Sequence, residues 1–292
     1  MFSVDYSAFQ FFKDNYPSDE LIMLDQAAMW TSLGEMSLLL IALTVTMIRV
    51  CRKNRFRFLI ILISLLIVAD IAVAFLSVGL YCEQTDLHNN HPLPLAILIG
   101  TTTFFFNMGN NTMHWLFALK YWIIAREVPK LFHDQQIKFS EKIYKTVKIT
   151  GFVVNFIPCG FLAYYRGKLT MESAGRKTPS RETVDAVQIL YQLNTAIELV
   201  SAFILADALR RIRKALKRNP FLQGNQKIMW LHIVMLTTHV VVISLAAFFV
   251  FRAFQYPENT KYQYEQSASR IALFSSMTVV QLIIIYLFQH FG

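Results

Sequence analysis

Seven long apolar stretches constrain the fold of this chain more than any other feature. They lie near residues 30–50, 58–81, 94–122, 147–165, 186–208, 228–251 and 269–290. A helix needs about 20 mainly apolar residues to cross a bilayer, and lipid cannot satisfy the backbone of an open sheet or loop. Only 16% of the residues are charged, whereas a soluble domain has about a quarter. The sequence therefore predicts an all-α integral membrane bundle of seven helices.

Basic residues predict the orientation of this bundle, because cytoplasmic loops of membrane proteins carry an excess of Lys and Arg. With the N-terminus outside, the cytoplasmic side takes five basic residues from 49–57, seven from 120–148 and seven from 210–227, of 28 in the chain. We therefore expect an extracellular tail over 1–29, one membrane domain over 30–292, and a cytoplasmic C-terminus. The predicted outer loop 166–184 runs against this trend, since it carries five basic residues.

The net charge of +9 is expected mostly on the cytoplasmic face. Its default partner there is the anionic lipid of the inner leaflet, and no nucleic-acid partner is needed to explain it. Six basic residues follow the fifth predicted span, namely Arg210, Arg211, Arg213, Lys214, Lys217 and Arg218. They either anchor a helix end at the interface or form a docking surface for a cytosolic signalling partner. The plasma membrane is the expected location.

Strongly polar residues interrupt the third span in the segment "FFFNMGNNTMHW", residues 104–115. At about 100° per residue these side chains share one helix face, which must point into the bundle because hydrocarbon cannot satisfy them. The second, fifth and sixth spans carry polar residues at similar depth. The candidate ligand-binding residues are Asp70, Asn107, Asn110, Asn111, His114, Tyr191, Thr195, Glu198 and His239.

Two interpretations of these residues stay open. Asn and His often join transmembrane helices by hydrogen bonds worth about 0.6 kcal/mol each, which would make the layer structural. Ionisable groups at the bilayer centre cost a few kcal/mol or more unless they are paired or hydrated. Because Asp70 and Glu198 would both lie in this layer, the sequence favours a functional cavity over structural hydrogen bonding alone.

Catalysis is not expected, and no cofactor is implied. The chain has no His-x-x-x-His or His-Glu-x-x-His pair, no Ser/His/Asp signature and no Gly-rich phosphate loop. Asp70, His114 and His239 could converge on a metal ion from three helices, but their spacing does not require it. A transporter or channel would need broken helices and usually an internal repeat, and Pro158 provides only one candidate kink.

The second span reads "SLLIVADIAVAF" over residues 64–75. Its Leu66, Ala69 and Asp70 resemble the Leu-x-x-Ala-Asp stretch in the second helix of rhodopsin-like G-protein-coupled receptors. The resemblance covers about ten residues and implies that Asp70 binds a sodium ion and takes part in switching. The chain departs from that family elsewhere: the sixth span has no Cys-Trp-x-Pro and the seventh has no Asn-Pro-x-x-Tyr.

Together these features predict a receptor-like sensor. It would bind a small ligand or ion in a polar intramembrane cavity and signal through its basic cytoplasmic loops. The alternatives are a transporter or channel with a polar mid-membrane pathway, and a non-signalling membrane subunit.

Overall fold

Five long helices make up the part of the chain that the computed structural model describes, which is residues 19–53, 57–83, 90–131, 141–174 and 179–217. The helices are α1 (Asp19–Lys53), α2 (Arg57–Glu83), α3 (Pro92–Leu131), α4 (Glu141–Ser173) and α5 (Arg181–Lys217). The predicted sixth and seventh spans, most of the predicted tail 1–29 and the C-terminus lie outside the described residues.

Four of the described helices are long and apolar enough to cross a membrane. The qualifying segments are Gln26–Cys51, Ile63–Glu83, Pro92–Ile123 and Arg181–Ala208. They coincide with the first, second, third and fifth predicted spans. The fourth predicted span also lies in a helix, Glu141–Ser173, but this helix is not among the four qualifying segments. The described part of the chain is therefore all-helical, and its four apolar helices are consistent with a multi-pass membrane protein.

The central element is α3, which packs against α2, α4 and α5, while α1 packs on α2 and α4 packs on α5. Two glycines let α3 approach α4 at backbone distance. A side chain on Gly100 would come within 2.9 Å of the Ala163 carbonyl oxygen, and one on Gly167 would come within 3.0 Å of the Ala96 carbonyl oxygen. Small residues at such crossings are typical of helix packing in membranes.

Apolar side chains fill the interior between α1, α2 and α3 and also cover the outside of the bundle. Leu39, Leu43, Ile63 and Leu66 are fully buried. Large apolar side chains are also exposed along whole helix faces, including Leu38, Ile41, Ile48, Phe152, Phe156, Phe161, Ile189 and Phe203. Helices that are apolar on both their inner and outer faces suit a hydrocarbon surround and not water.

Helices extend into both ends of the predicted outer loop 166–184. The α4 helix continues to Ser173, beyond the predicted end of the fourth span at 165, and α5 begins at Arg181 instead of 186. Carboxylates pair with three of the five basic residues that opposed the predicted orientation: Arg166 contacts Glu83 at the end of α2, Lys168 contacts Glu172, and Arg181 contacts Asp185.

Glu172 joins the end of α4 to the start of α5. Its carboxylate accepts hydrogen bonds from the Ser180 backbone N–H at 2.8 Å, the Ser180 hydroxyl at 2.9 Å and the Thr183 hydroxyl at 3.2 Å. Burial alone would raise the pKa of Glu172, but these hydrogen bonds and nearby Lys168 outweigh it and lower the pKa. Ser180 also caps α5, since its hydroxyl oxygen accepts the Thr183 N–H at 3.4 Å.

Candidate functional site

Six polar side chains from three helices meet in the middle of the bundle. Asn110, Asn111 and His114 lie on α3, Cys159 lies on α4, and Asn194 and Glu198 lie on α5. We call this group the central polar cluster. The sequence places its α3 members on one helix face because their spacings of one, three and four residues fall within a single arc. The same holds for Asn194 and Glu198, one turn apart on α5.

The Glu198 carboxylate forms one half of the cluster. The side-chain amide of Asn110 donates a hydrogen bond to Glu198 Oε1, and His114 Nδ1 lies 3.7 Å from the same oxygen. Both His114 and Glu198 are 14% exposed. This separation allows an ion pair between a protonated imidazole and the carboxylate. The arrangement gives Glu198 a neutral donor and a titratable neighbour, but no Lys or Arg among the described contacts.

The other half of the central polar cluster consists of the buried side-chain amides of Asn111 and Asn194 and the Cys159 thiol. Asn111 Nδ2 donates to Asn194 Oδ1 at 3.0 Å, and the Cys159 thiol donates to the same oxygen at 3.2 Å. Asn194 Nδ2 in turn donates to the Leu190 carbonyl oxygen at 2.9 Å, within its own helix. Asn194 therefore ties α3, α4 and α5 together, which is the interhelical role that polar residues often take in membranes.

The central polar cluster contains four of the nine predicted ligand-binding residues. Asn110, Asn111, His114 and Glu198 belong to the central polar cluster. Asp70 is 1% exposed on α2, next to Ala69, which packs against Gly109 at the crossing of α2 and α3. No described contact joins Asp70 to Glu198.

Three of the remaining predicted residues make their described polar contacts with groups outside the central polar cluster. Asn107 donates to the Thr103 carbonyl oxygen at 2.8 Å, and Thr195 donates to the Tyr191 carbonyl oxygen at 3.0 Å, each within its own helix. Tyr191 interacts with the Arg166 guanidinium instead. His239 lies outside the described residues.

The basic residues predicted to bind a partner continue α5 past its membrane-spanning segment. Arg210, Arg211 and Lys214 are exposed, and Arg211 pairs with Asp207 at 2.7 Å. Arg213 and Lys217 lie on the same helix, but their side chains are outside the described part of the structure, as is the whole of Arg218.

A second polar group lies where α2 and α4 end. Both nitrogens of the Arg166 guanidinium fork donate to Glu83, at 3.2 and 2.5 Å, and the Thr170 hydroxyl donates to Glu83 at 2.8 Å. Glu83 and Arg166 are 15% and 12% exposed. We call Glu83, Arg166 and Thr170 the ion-pair cluster. Sequence analysis missed it because the two charges are 83 residues apart and no periodicity connects them.

A cleft of about 510 Å³ opens beside the central polar cluster between α3, α4 and α5. We call it the α4–α5 cleft. Its lining comprises Trp115, Thr146, Thr150, Gly151, Val154, Asn155, Leu193, Ala196, Ile197 and Val200. Two buried polar atoms of this lining, Trp115 Nε1 and Asn155 Oδ1, have no hydrogen-bond partner among the described residues. The cleft is otherwise apolar.

Sequence analysis also missed Cys159 and Asn194 as members of the central polar cluster. Asn194 does lie on the polar face that the sequence predicts for the fifth span, with Tyr191 and Glu198, but it is not among the predicted ligand-binding residues. Cys159 gave no such signal, because a single thiol in an apolar span resembles any small core residue. Within residues 19–53, 57–83, 90–131, 141–174 and 179–217, no group of three or more His, Cys, Asp or Glu side chains could hold a metal ion.

Comparisons with known proteins place no family name on this arrangement: no family model, curated protein or solved structure matches the chain.

Proposed function

We propose that this protein is a receptor-like membrane sensor that binds a small ligand or ion at the central polar cluster. The observation that carries the proposal is the Glu198 carboxylate, held inside an apolar bundle by Asn110 and His114. The carboxylate and the nearby amide oxygens are acceptors. The ligand is therefore a cation or a neutral hydrogen-bond donor.

The two halves of the cluster support different functions, and Glu198 favours binding. A structural joint between α3 and α5 needs only the Asn111–Asn194 pair, which contains no charge. A carboxylate adds a desolvation cost of several kcal/mol that its hydrogen bond to a neutral amide offsets only in part. Ionisable residues within membrane helices usually face a functional cavity for this reason.

Binding at Glu198 would act on the helices that carry its partners. A donor or cation that takes the place of Asn110 or His114 at the carboxylate releases a contact between α3 and α5. The α5 helix continues nine residues past Ala208 into the exposed basic segment with Arg210, Arg211 and Lys214. A shift of α5 therefore moves the predicted docking surface for a cytosolic partner or anionic lipid, and coupling of this kind requires different contacts in the two states.

A non-signalling membrane subunit is the second candidate. It is favoured by the mutual satisfaction of Asn111, Cys159 and Asn194, which gives a dry, cohesive joint without any ligand. A transporter or channel has less support, because α1 to α5 each run without a break through the described residues, including past Pro158 in α4.

Solvent access to the cluster separates these candidates. Single cysteines at positions 110, 114 and 198, in a background without the native thiols, would be treated with a small charged thiol reagent from each side of the membrane. Two variants serve as controls. A cysteine at the exposed position of Ser180 should always react with the reagent, and a cysteine at the buried position of Leu43 should not. Labelling at 198 is expected for a binding cavity. No labelling from either side would favour the structural subunit.

A further inference from the structure

We infer that the α4–α5 cleft binds a membrane amphiphile, a molecule with a long apolar body and a hydroxyl head, which enters sideways from the bilayer. The inference rests on the proposed sensor function, and it names a class of molecule that would act on the central polar cluster from the adjoining cleft. The cleft volume of about 510 Å³ lies within the range of about 300–1,000 Å³ that small-molecule sites occupy.

The walls of the cleft match an apolar body. Val154, Leu193 and Val200 line it and are 49%, 43% and 53% exposed. They adjoin the apolar outer face of α4, where Val153 and Phe156 are 45% and 48% exposed. The mouth of the cleft therefore opens toward lipid, and an acyl-chain-like body passes from the bilayer into the cleft without crossing water.

The inner end of the cleft carries the groups that a hydroxyl head can satisfy. Asn155 is 1% exposed, and its Oδ1 has no partner among the described residues. The Trp115 indole nitrogen, likewise without a described partner, lies against Gly151, where an added side chain would collide with it. Gly151 and Asn155 are one helical turn apart and share a face. A hydroxyl can donate to the amide oxygen and accept from the indole N–H.

The cleft adjoins the central polar cluster at every helix. Trp115 directly follows His114, Ile197 directly precedes Glu198, and Asn155 lies one turn before Cys159 on α4. A molecule in the cleft therefore sits between α4 and α5 at the level where Asn194 joins them. Occupancy changes the spacing of the two helices that carry Cys159 and Glu198, which provides a route from lipid composition to the cluster.

Photolabelling tests the inference with a matched pair of variants. The probe is a long-chain fatty alcohol that carries a diazirine, applied to the purified protein in lipid nanodiscs. We expect saturable labelling, competed by the unlabelled alcohol and mapped to 146–155 or 193–200. Val154→Phe fills the cleft and should lower labelling about tenfold, the effect of roughly 1.4 kcal/mol of lost affinity. Val153→Phe makes the same change outside the cleft and should leave labelling unchanged.

Further variants keep the test decisive. Asn155→Leu removes the hydrogen-bond acceptor. It should lower labelling by the alcohol but not labelling by a photoreactive alkane of equal length. Ala196→Phe repeats the filling from α5 in case Val154→Phe unfolds. Equal labelling of the Val153 and Val154 variants would overturn the inference, because it would show bulk lipid contact only.

Three further outcomes separate a failure of this inference from a failure of the proposed function. If a cysteine at Val200 cross-links to cysteines placed in 228–251 and no alcohol is incorporated, the chain itself fills the cleft and the inference fails. If thiol reagents label position 198 but the alcohol does not label the cleft, the sensor proposal stands and only the ligand class is wrong. Labelling of the cleft without access to position 198 would show a lipid site unconnected with sensing: the inferred binding would stand, and the proposed sensor function would fail.

Discussion

The ion-pair cluster and the central polar cluster both hold a glutamate inside the bundle, but they compensate its charge differently. Glu83 meets the two-pronged guanidinium of Arg166 and the Thr170 hydroxyl. Glu198 meets only the Asn110 amide and the His114 imidazole among the described contacts. The first carboxylate has its full counter-charge within the protein. Under the proposed function, the second carboxylate binds a cation or donor from elsewhere, and this difference would separate a structural group from a binding site.

The largest expected effect comes from breaking the ion-pair cluster. Glu83→Gln leaves the Arg166 charge mostly buried without a counter-ion, and loss of one member of a buried pair costs about 3–5 kcal/mol. Thermal unfolding of the purified protein measures the change. Lys168→Gln, two residues from Arg166, removes a more exposed partner and should cost at most about 1 kcal/mol. The double variant Glu83→Gln, Arg166→Gln should recover part of the loss, and a single variant as stable as the parent would show that the pair is not structural.

The next largest effect is expected in the amide half of the central polar cluster. Asn194→Leu leaves the buried Asn111 amide and Cys159 thiol without their acceptor, at a cost of about 1–3 kcal/mol in the free energy of unfolding. Gln192→Leu changes an exposed residue on the same helix and should stay within about 0.5 kcal/mol. Equal unfolding midpoints for the two variants would mean that Asn194 does not join the helices.

A smaller effect is expected at Glu172, and it depends on pH. Because hydrogen bonds from Ser180 and Thr183 lower its pKa in the folded protein, the stabilisation is present above the ordinary carboxyl pKa of about 4.3. It is lost as the pH falls through the lower folded-state value. Glu172→Gln should therefore cost about 1 kcal/mol at neutral pH, or roughly 2–4 °C in Tm. The difference in Tm between Glu172→Gln and the parent should disappear in acid. A difference that persists there would mean that the packing of the side chain, and not its charge, causes the effect.

The sequence predicted the helices better than it predicted their partners. Apolar length alone located α1, α2, α3 and α5, because crossing a bilayer imposes a length and a composition that can be read directly. The α3 stripe followed from helical periodicity and led to Asn110, Asn111 and His114. Periodicity gives a direction on one helix but not the rotation of its neighbours, so the Asn111–Asn194–Cys159 contacts were not predictable. The Glu83–Arg166 pair was missed for the same reason.

Glu198→Gln sharpens the comparison most, although its effect on stability should be the smallest. Glutamine still offers an oxygen to the Asn110 amide, so we expect a change below about 1 kcal/mol, in contrast to Glu83→Gln. Unfolding would be followed in sodium chloride and in N-methylglucamine chloride at equal ionic strength. A bound cation at about ten times its Kd adds about 1.4 kcal/mol to the free energy of unfolding of the parent protein. The Glu198→Gln variant should lose this increment. Glu182→Gln, an exposed change on the same helix, should keep it. If Glu198→Gln instead destabilises as much as Glu83→Gln, the charge of Glu198 is structural, and the two clusters are of one kind.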